Sequence, residues 1–252
     1  MLFINPKVYL IYKVILINYT NTLKVWLKRL NINYMKKNSF FLLMSLLSIN
    51  LTAQVYTFTS QDEDRLITHK ILKDSNYLIE TQYTSNSNEF ISTRGGFYKS
   101  KDENHLVRFE FNSNYSEDSL KTKTFKSSKW IKEVTSKQDH SGKWLMAGRV
   151  RDNIEKRRST DGPRKTLKFL IDGHFQWTAF NTQTFKFFGS GGGTYTAVNG
   201  DYVESITYFS RDNSRVGAVL PFRYDLKGSD WHHQGLNSKD EPMYEIWTLR
   251  GN

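Results

Sequence analysis

The chain contains no cysteine, which excludes disulfides, thiolate-held metal and the lipidated cysteine of a bacterial lipoprotein. It has only four prolines and no sustained apolar repeat of three to four residues, so little helix is expected. The first 54 residues lack acidic side chains altogether. They carry seven lysines and arginines, so the net charge of +11 for the whole chain falls to +4 for the remainder. That balance removes most of the basicity that would point to nucleic acid, and no nucleic-acid partner is expected.

The front of the chain explains the imbalance. Met35-Lys36-Lys37-Asn38-Ser39 precedes the apolar run from Phe40 to Leu47, and a small residue, Ala53, stands at a plausible cleavage point. Residues 35–53 therefore read as a secretory signal peptide, with an apolar core too short for a spanning helix of about 20 residues. Residues 1–34, rich in Asn, Ile, Lys, Tyr and Leu, read as spurious upstream translation or a disordered extension. The expected destination is the periplasm or the medium of a Gram-negative bacterium, with no stable membrane span after cleavage.

Aromatic residues are plentiful at 15% of the chain. Turn signals recur about every eight to twelve residues, the mark of an all-β protein of short strands. The chain also repeats itself. Lys70-Ile71-Leu72-Lys73-Asp74-Ser75-Asn76-Tyr77 returns as Lys168-Phe169-Leu170-Ile171-Asp172-Gly173-His174-Phe175. Arg94-Gly95-Gly96-Phe97-Tyr98 returns as Gly191-Gly192-Gly193-Thr194-Tyr195, and His105–Phe111 as Tyr202–Tyr208. The spacing drifts by about one residue, and so long a period marks a duplicated domain rather than a solenoid of roughly 20–50-residue repeats.

Two tandem copies are thus expected: a shorter, degenerate one over 55–135 and a complete one over 142–252, joined by the polar run 135–141. In the second copy, strands are expected near 143–151, 164–171, 174–180, 185–190, 193–198, 201–210, 215–226, 229–235 and 243–249. Such a meander favours a closed antiparallel up-and-down barrel, which leaves no exposed edge; a two-sheet sandwich is the alternative. For the hairpin at Asp172-Gly173, a three-residue loop is expected. It would place Leu167, Phe169, Phe175, Trp177 and Ala179 on one face and Lys168 on the other.

Gly142-Lys143-Trp144 opens the second copy, the Gly-Ser-Gly-Gly-Gly run 189–193 lies midway, and Asp230-Trp231-His232-His233 and Tyr244-Glu245-Ile246-Trp247 close it. Together these resemble an exported, lipocalin-like (calycin-type) family of unknown function, of the Bacteroidetes type, strongly over 142–250 and weakly over 65–134. The resemblance implies a small barrel and no established activity. It also implies that Trp144 plugs one end beneath a cationic side chain, for which Arg250 is the candidate.

The candidate chemistry is sparse. His232 and His233 are neighbours on a strand and point to opposite faces, so they cannot share a metal; no metal or cofactor is expected. Ser210-Arg211-Asp212-Asn213-Ser214-Arg215 reads as a turn and not as a nucleophile site, and the glycine triplet as a bend or bulge and not a phosphate loop. The basic cluster Arg149, Arg151, Lys156, Arg157, Arg158, Arg164 and Lys165 is either a solvated loop or a barrel mouth that steers an anion. Trp177, Tyr195, Tyr208, Tyr224, Trp231 and His233 are the candidate lining for a small apolar or amphipathic ligand, with a filled core as the alternative. A non-enzymatic binder is expected first, a cell-envelope interaction module second, and a hydrolase or isomerase last.

Overall fold

Residues 54–237 and 240–251 are described by the structure, a computed structural model. The expected signal peptide, residues 35–53, and the segment before it lie outside the described residues. The first copy forms strands β1 (Gln54–Asp62), β2 (Arg65–Lys73), β3 (Tyr77–Thr84), β4 (Phe90–Lys101), β5 (Asn104–Asn112), β6 (Thr122–Lys126) and β7 (Ile131–Lys132). The second forms β8 (Gly142–Arg151), β9 (Ile154–Arg157), β10 (Arg164–Ile171), β11 (His174–Asn181), β12 (Phe187–Val198), β13 (Asp201–Phe209), β14 (Val219–Lys227), β15 (Asp230–Leu236) and β16 (Pro242–Leu249).

In the second copy β10 to β16 follow one another as antiparallel neighbours, and β8 pairs with both β16 and β10. The result is a closed eight-stranded up-and-down barrel, with β9 as a short hairpin extension of β8. The first copy is a curled seven-stranded sheet in the order β6-β5-β4-β3-β2-β1-β7, left open between β6 and β7.

From β2 to β6 the strand registers superpose the first copy on β10 to β14 at a constant offset of 97 residues. Leu78 pairs with Gly96 as Phe175 pairs with Gly193, and Leu106 pairs with Thr124 as Val203 pairs with Pro221. There is thus no drift over these strands; the hairpin match of Lys70 with Lys168 is one residue out of register, and Ile71 is the true counterpart of Lys168. The spacing changes at both ends: Thr57 pairs with Lys70 as Leu145 pairs with Leu167, so β1 and β8 are closer in sequence than the other equivalents although β9 is inserted after β8 alone, and it changes again after β6. Trp130 precedes the short β7 as Trp247 precedes the last residues of β16, and no strand equivalent to β15 is present among the described residues. Trp130 stacks on His105 and leans on Tyr56, so it packs against the interior that the lost strand would have covered.

The glycine bend has a steric cause common to both copies. A Cβ on Gly96 would lie 1.9 Å from the Arg108 carbonyl oxygen, and one on Gly193 would lie 1.9 Å from that of Ser205. The ladder shifts register at both places, which is a bulge that only glycine permits.

The hairpin between β10 and β11 has a two-residue loop, which corrects the expected three. Asp172 and Gly173 both have positive φ, Ile171 pairs with His174, and Lys168 pairs with Trp177. Leu170, Phe175 and Tyr202 therefore face the barrel interior. Leu167, Phe169, Ile171 and Phe180 face outward but are just as buried, because Val55, Leu72, Ile79 and Phe111 of the first copy cover them. Both faces of these strands are core, so alternation could not identify the inner one.

The copies pack outer face to outer face about a pseudo-two-fold axis. Phe111 meets Phe180, and the equivalent pair, Tyr208 and Tyr83, meets at the symmetry-related place. Phe90 stacks on its own counterpart Phe187, their planes 2° apart. At the centre Gln176 bonds the hydroxyls of Thr81, Thr93, Thr178, Ser190 and Tyr208, a fully buried polar network. Ion pairs rim the contact: Lys143 with Asp74, and Arg250, whose guanidinium grips both oxygens of Glu110 at 2.7 and 2.8 Å.

Candidate functional site: the interior of the second barrel

One end of the barrel is plugged by the segment that joins the copies. His140 lies edge-on to Tyr224, with ring centroids 4.1 Å apart, and nearly parallel to Trp231 at 5.9 Å. Its carbonyl accepts from the Trp144 indole N–H at 2.8 Å. Asp139 accepts from the Tyr224 hydroxyl, and Gln138 from the Ala197 backbone N–H. Residues that read as a polar linker are thus the barrel's floor. Trp144 does pack there, but Arg250 lies over Tyr77 and Phe97 of the first copy.

Halfway up, Lys168 donates to Glu204 at 2.7 Å, and the Tyr202 hydroxyl donates to the same oxygen at 2.9 Å. The Lys168 ammonium is 5.2 Å from the ring centres of both Trp231 and Trp247 and 5.5 Å from Tyr202. An ion pair so removed from water persists because its partners and these π faces replace hydration.

Above it, His233 is fully buried against Phe222, Trp231 and Tyr202. Burial, and then the Lys168 charge, lower its pKa and keep it neutral. Neither ring nitrogen has a hydrogen-bond partner among the described residues, and Glu245 Oε2 stands 4.0 Å from Nδ1, beyond hydrogen-bond reach. The Trp247 indole N–H is likewise buried and unpaired among the described residues. Burial pushes the Glu245 carboxyl up, but the charges of Lys168 and Arg149 outweigh it and the net direction is down. On the opposite face of β15, His232 shares a hydrogen bond with Tyr244.

These groups form the lower wall of a cavity of about 420 Å³ that opens at the end away from the plug. Met146, Trp177, Phe209, Leu220 and Met243 make its apolar sides. Arg149, Arg158, Arg164, Arg211 and Arg215 lie round its mouth.

Of the expected lining residues, Trp177 and His233 face the cavity. Trp231 is packed beneath it, and Tyr195 and Tyr224 belong to the plugged end. Tyr208 is not in the barrel at all; it points outward into the contact between the copies. The basic cluster divides: Arg149, Arg158 and Arg164 reach the mouth, while Arg157 pairs outside with Glu155 and Asp230. Lys168, Glu204, Glu245 and Trp247 went unnoticed as site residues. The signal for the first two was present, since the correct offset sets Lys168 and Glu204 against Ile71 and Val107.

Fold and site together define a duplicated all-β protein in which one copy is a closed barrel with a single-mouthed polar cavity. No protein-family model matches the chain, and no curated protein matches it significantly in sequence. Among the described residues no helix is long and apolar enough to cross a membrane, and no group of three His, Asp or Glu side chains is placed to hold a metal ion.

Proposed function

We propose that this is an exported, non-enzymatic, lipocalin-like protein whose second barrel binds a small amphipathic ligand. The observation that carries the reading is a cavity of about 420 Å³ inside the closed barrel, with apolar sides made by Met146, Trp177, Leu220 and Met243 and arginines gathered round it. Apolar walls with a few convergent polar groups are the general pattern of small-molecule sites. Export is supported separately by the signal-like segment 35–53.

Native mass spectrometry of the purified protein is expected to reveal a bound or added small molecule at one per chain. That ligand should quench the tryptophan fluorescence contributed by Trp177 and Trp247. A ligand-free mass throughout, with no quenching by any amphiphile tested, would reject the reading.

A further inference from the structure

The mouth of the cavity is unbalanced in charge. Six cations and two carboxylates line the cavity as a whole. Glu204 is taken by Lys168, and Glu245 by Arg149 at 3.2 Å. Arg158, Arg164 and Arg211 have no carboxylate within ion-pair distance among the described residues. Arg158 donates through Nε to the Met146 carbonyl at 2.7 Å, and Arg211 donates to the Phe188 carbonyl at 2.8 Å. Arg164 lies 3.3 Å above the Phe188 ring. Each guanidinium is thus held in place by a backbone oxygen or a ring, and none is neutralised.

We infer that the ligand carries an anionic group, a carboxylate, sulfonate or phosphate, which docks among Arg158, Arg164 and Arg211 while its apolar body enters the barrel. The inference rests on the binding proposal above and names the class of ligand. Like charges gathered at one opening repel one another. Burial and then the neighbouring guanidiniums lower the pKa of Arg158, and burial and then Arg211 lower that of Arg164. An anion would relieve that repulsion. Arginine also offers paired N–H donors that match a flat or tetrahedral oxyanion, and a concave site with apolar walls strengthens the attraction. The sides of the cavity, Met146, Trp177, Leu220 and Met243, suit a compact hydrocarbon or aromatic body and not a second charge.

Two fluorescent probes with one skeleton test this on the full chain: 8-anilinonaphthalene-1-sulfonate and its uncharged parent, N-phenyl-1-naphthylamine. At low salt the sulfonate is expected to bind one per chain and at least roughly tenfold more tightly than the neutral probe, about 1.4 kcal/mol. Raising the ionic strength to about 1 M, where screening acts over about 3 Å, should shrink that ratio on the unsubstituted protein. Arg164→Gln and Arg158→Gln should each weaken the sulfonate several-fold and leave the neutral probe unchanged, and Arg164→Lys should retain part of the preference. Ala179→Trp, which fills the cavity, should remove both probes. Equal affinity for the two probes at every salt concentration would overturn the anion inference and leave the binding proposal standing. Binding of neither probe, or sulfonate binding that Ala179→Trp does not disturb, would overturn both.

Discussion

Lys168 and Glu204 stand where the first copy has Ile71 and Val107, so the chain carries both solutions to one interior position. A buried ion pair gives up much hydration and returns little net stability, whereas an apolar pair of similar size gives up none. The apolar version already packs in the first copy, where Ile71 and Val107 are fully buried beside Leu78 and Phe109. The double substitution Lys168→Ile with Glu204→Val is therefore expected to be neutral, or stabilising by up to about 4 kcal/mol, in urea unfolding. Lys168→Ile alone should cost about 3–5 kcal/mol, because it strands Glu204 without its counter-ion. A double variant as unstable as the single one would show that the pair is needed for the fold. If instead stability holds and ligand affinity falls, the pair is kept for its charge.

At the level of elements, most strand positions in the second copy were legible because turn residues punctuate them, but the two strands expected at 185–190 and 193–198 are one, β12, which the glycine bulge bends without ending. Asn199-Gly200 and Asp172-Gly173 both form turns with positive φ, as the residue types require. β9 was not legible: Ile154-Glu155-Lys156-Arg157 has no apolar alternation, and all four residues are exposed. The inner face of β10 and β11 was hidden for the opposite reason, since Leu167 and Phe169 are as apolar and as buried as Leu170 and Phe175. The floor formed by 138–140 had no signal at all; its hold on the barrel is made by one glutamine, one aspartate and one imidazole. In the first copy, losing the equivalent of β15 leaves β6 as a free edge, and Lys123 and Lys126 stand on it. Charged lysines on an unpaired edge discourage strand addition by another molecule. Replacing both by valine is expected to produce dimers or larger species in light scattering at concentrations where the parent is monodisperse. Unchanged mass would mean that geometry alone protects this edge.

Across the whole molecule, five of the six histidines are perturbed in one direction. Burial comes first in each case and lowers His105, His140, His174, His232 and His233. His174 is lowered to about 4 by burial and then Lys70, against the opposing pull of Glu133. An unfolded histidine titrates near 6.5, so between about pH 4 and 6.5 the unfolded chain binds more protons than the folded one. Stability should therefore fall as pH drops through that window, before most carboxylates titrate. His174→Gln should flatten part of the fall, by about 1–2 kcal/mol once partial solvent screening is allowed for, when urea midpoints are compared at about pH 4.5 and 7. Equal slopes for the parent and the variant would place the acid sensitivity elsewhere.

The stacking of Phe90 on Phe187 has a consequence for symmetry. A residue that touches its own counterpart across a two-fold axis makes the contact that an isologous dimer of two separate copies would make. In such a dimer every mutation appears twice, so a new charge in one barrel appears in both. Joining the two copies in one chain removes that constraint. One half is accordingly an open, curled sheet with an apolar Ile71 and Val107, while the other is a closed barrel that holds the Lys168–Glu204 pair with no matching charge across the axis.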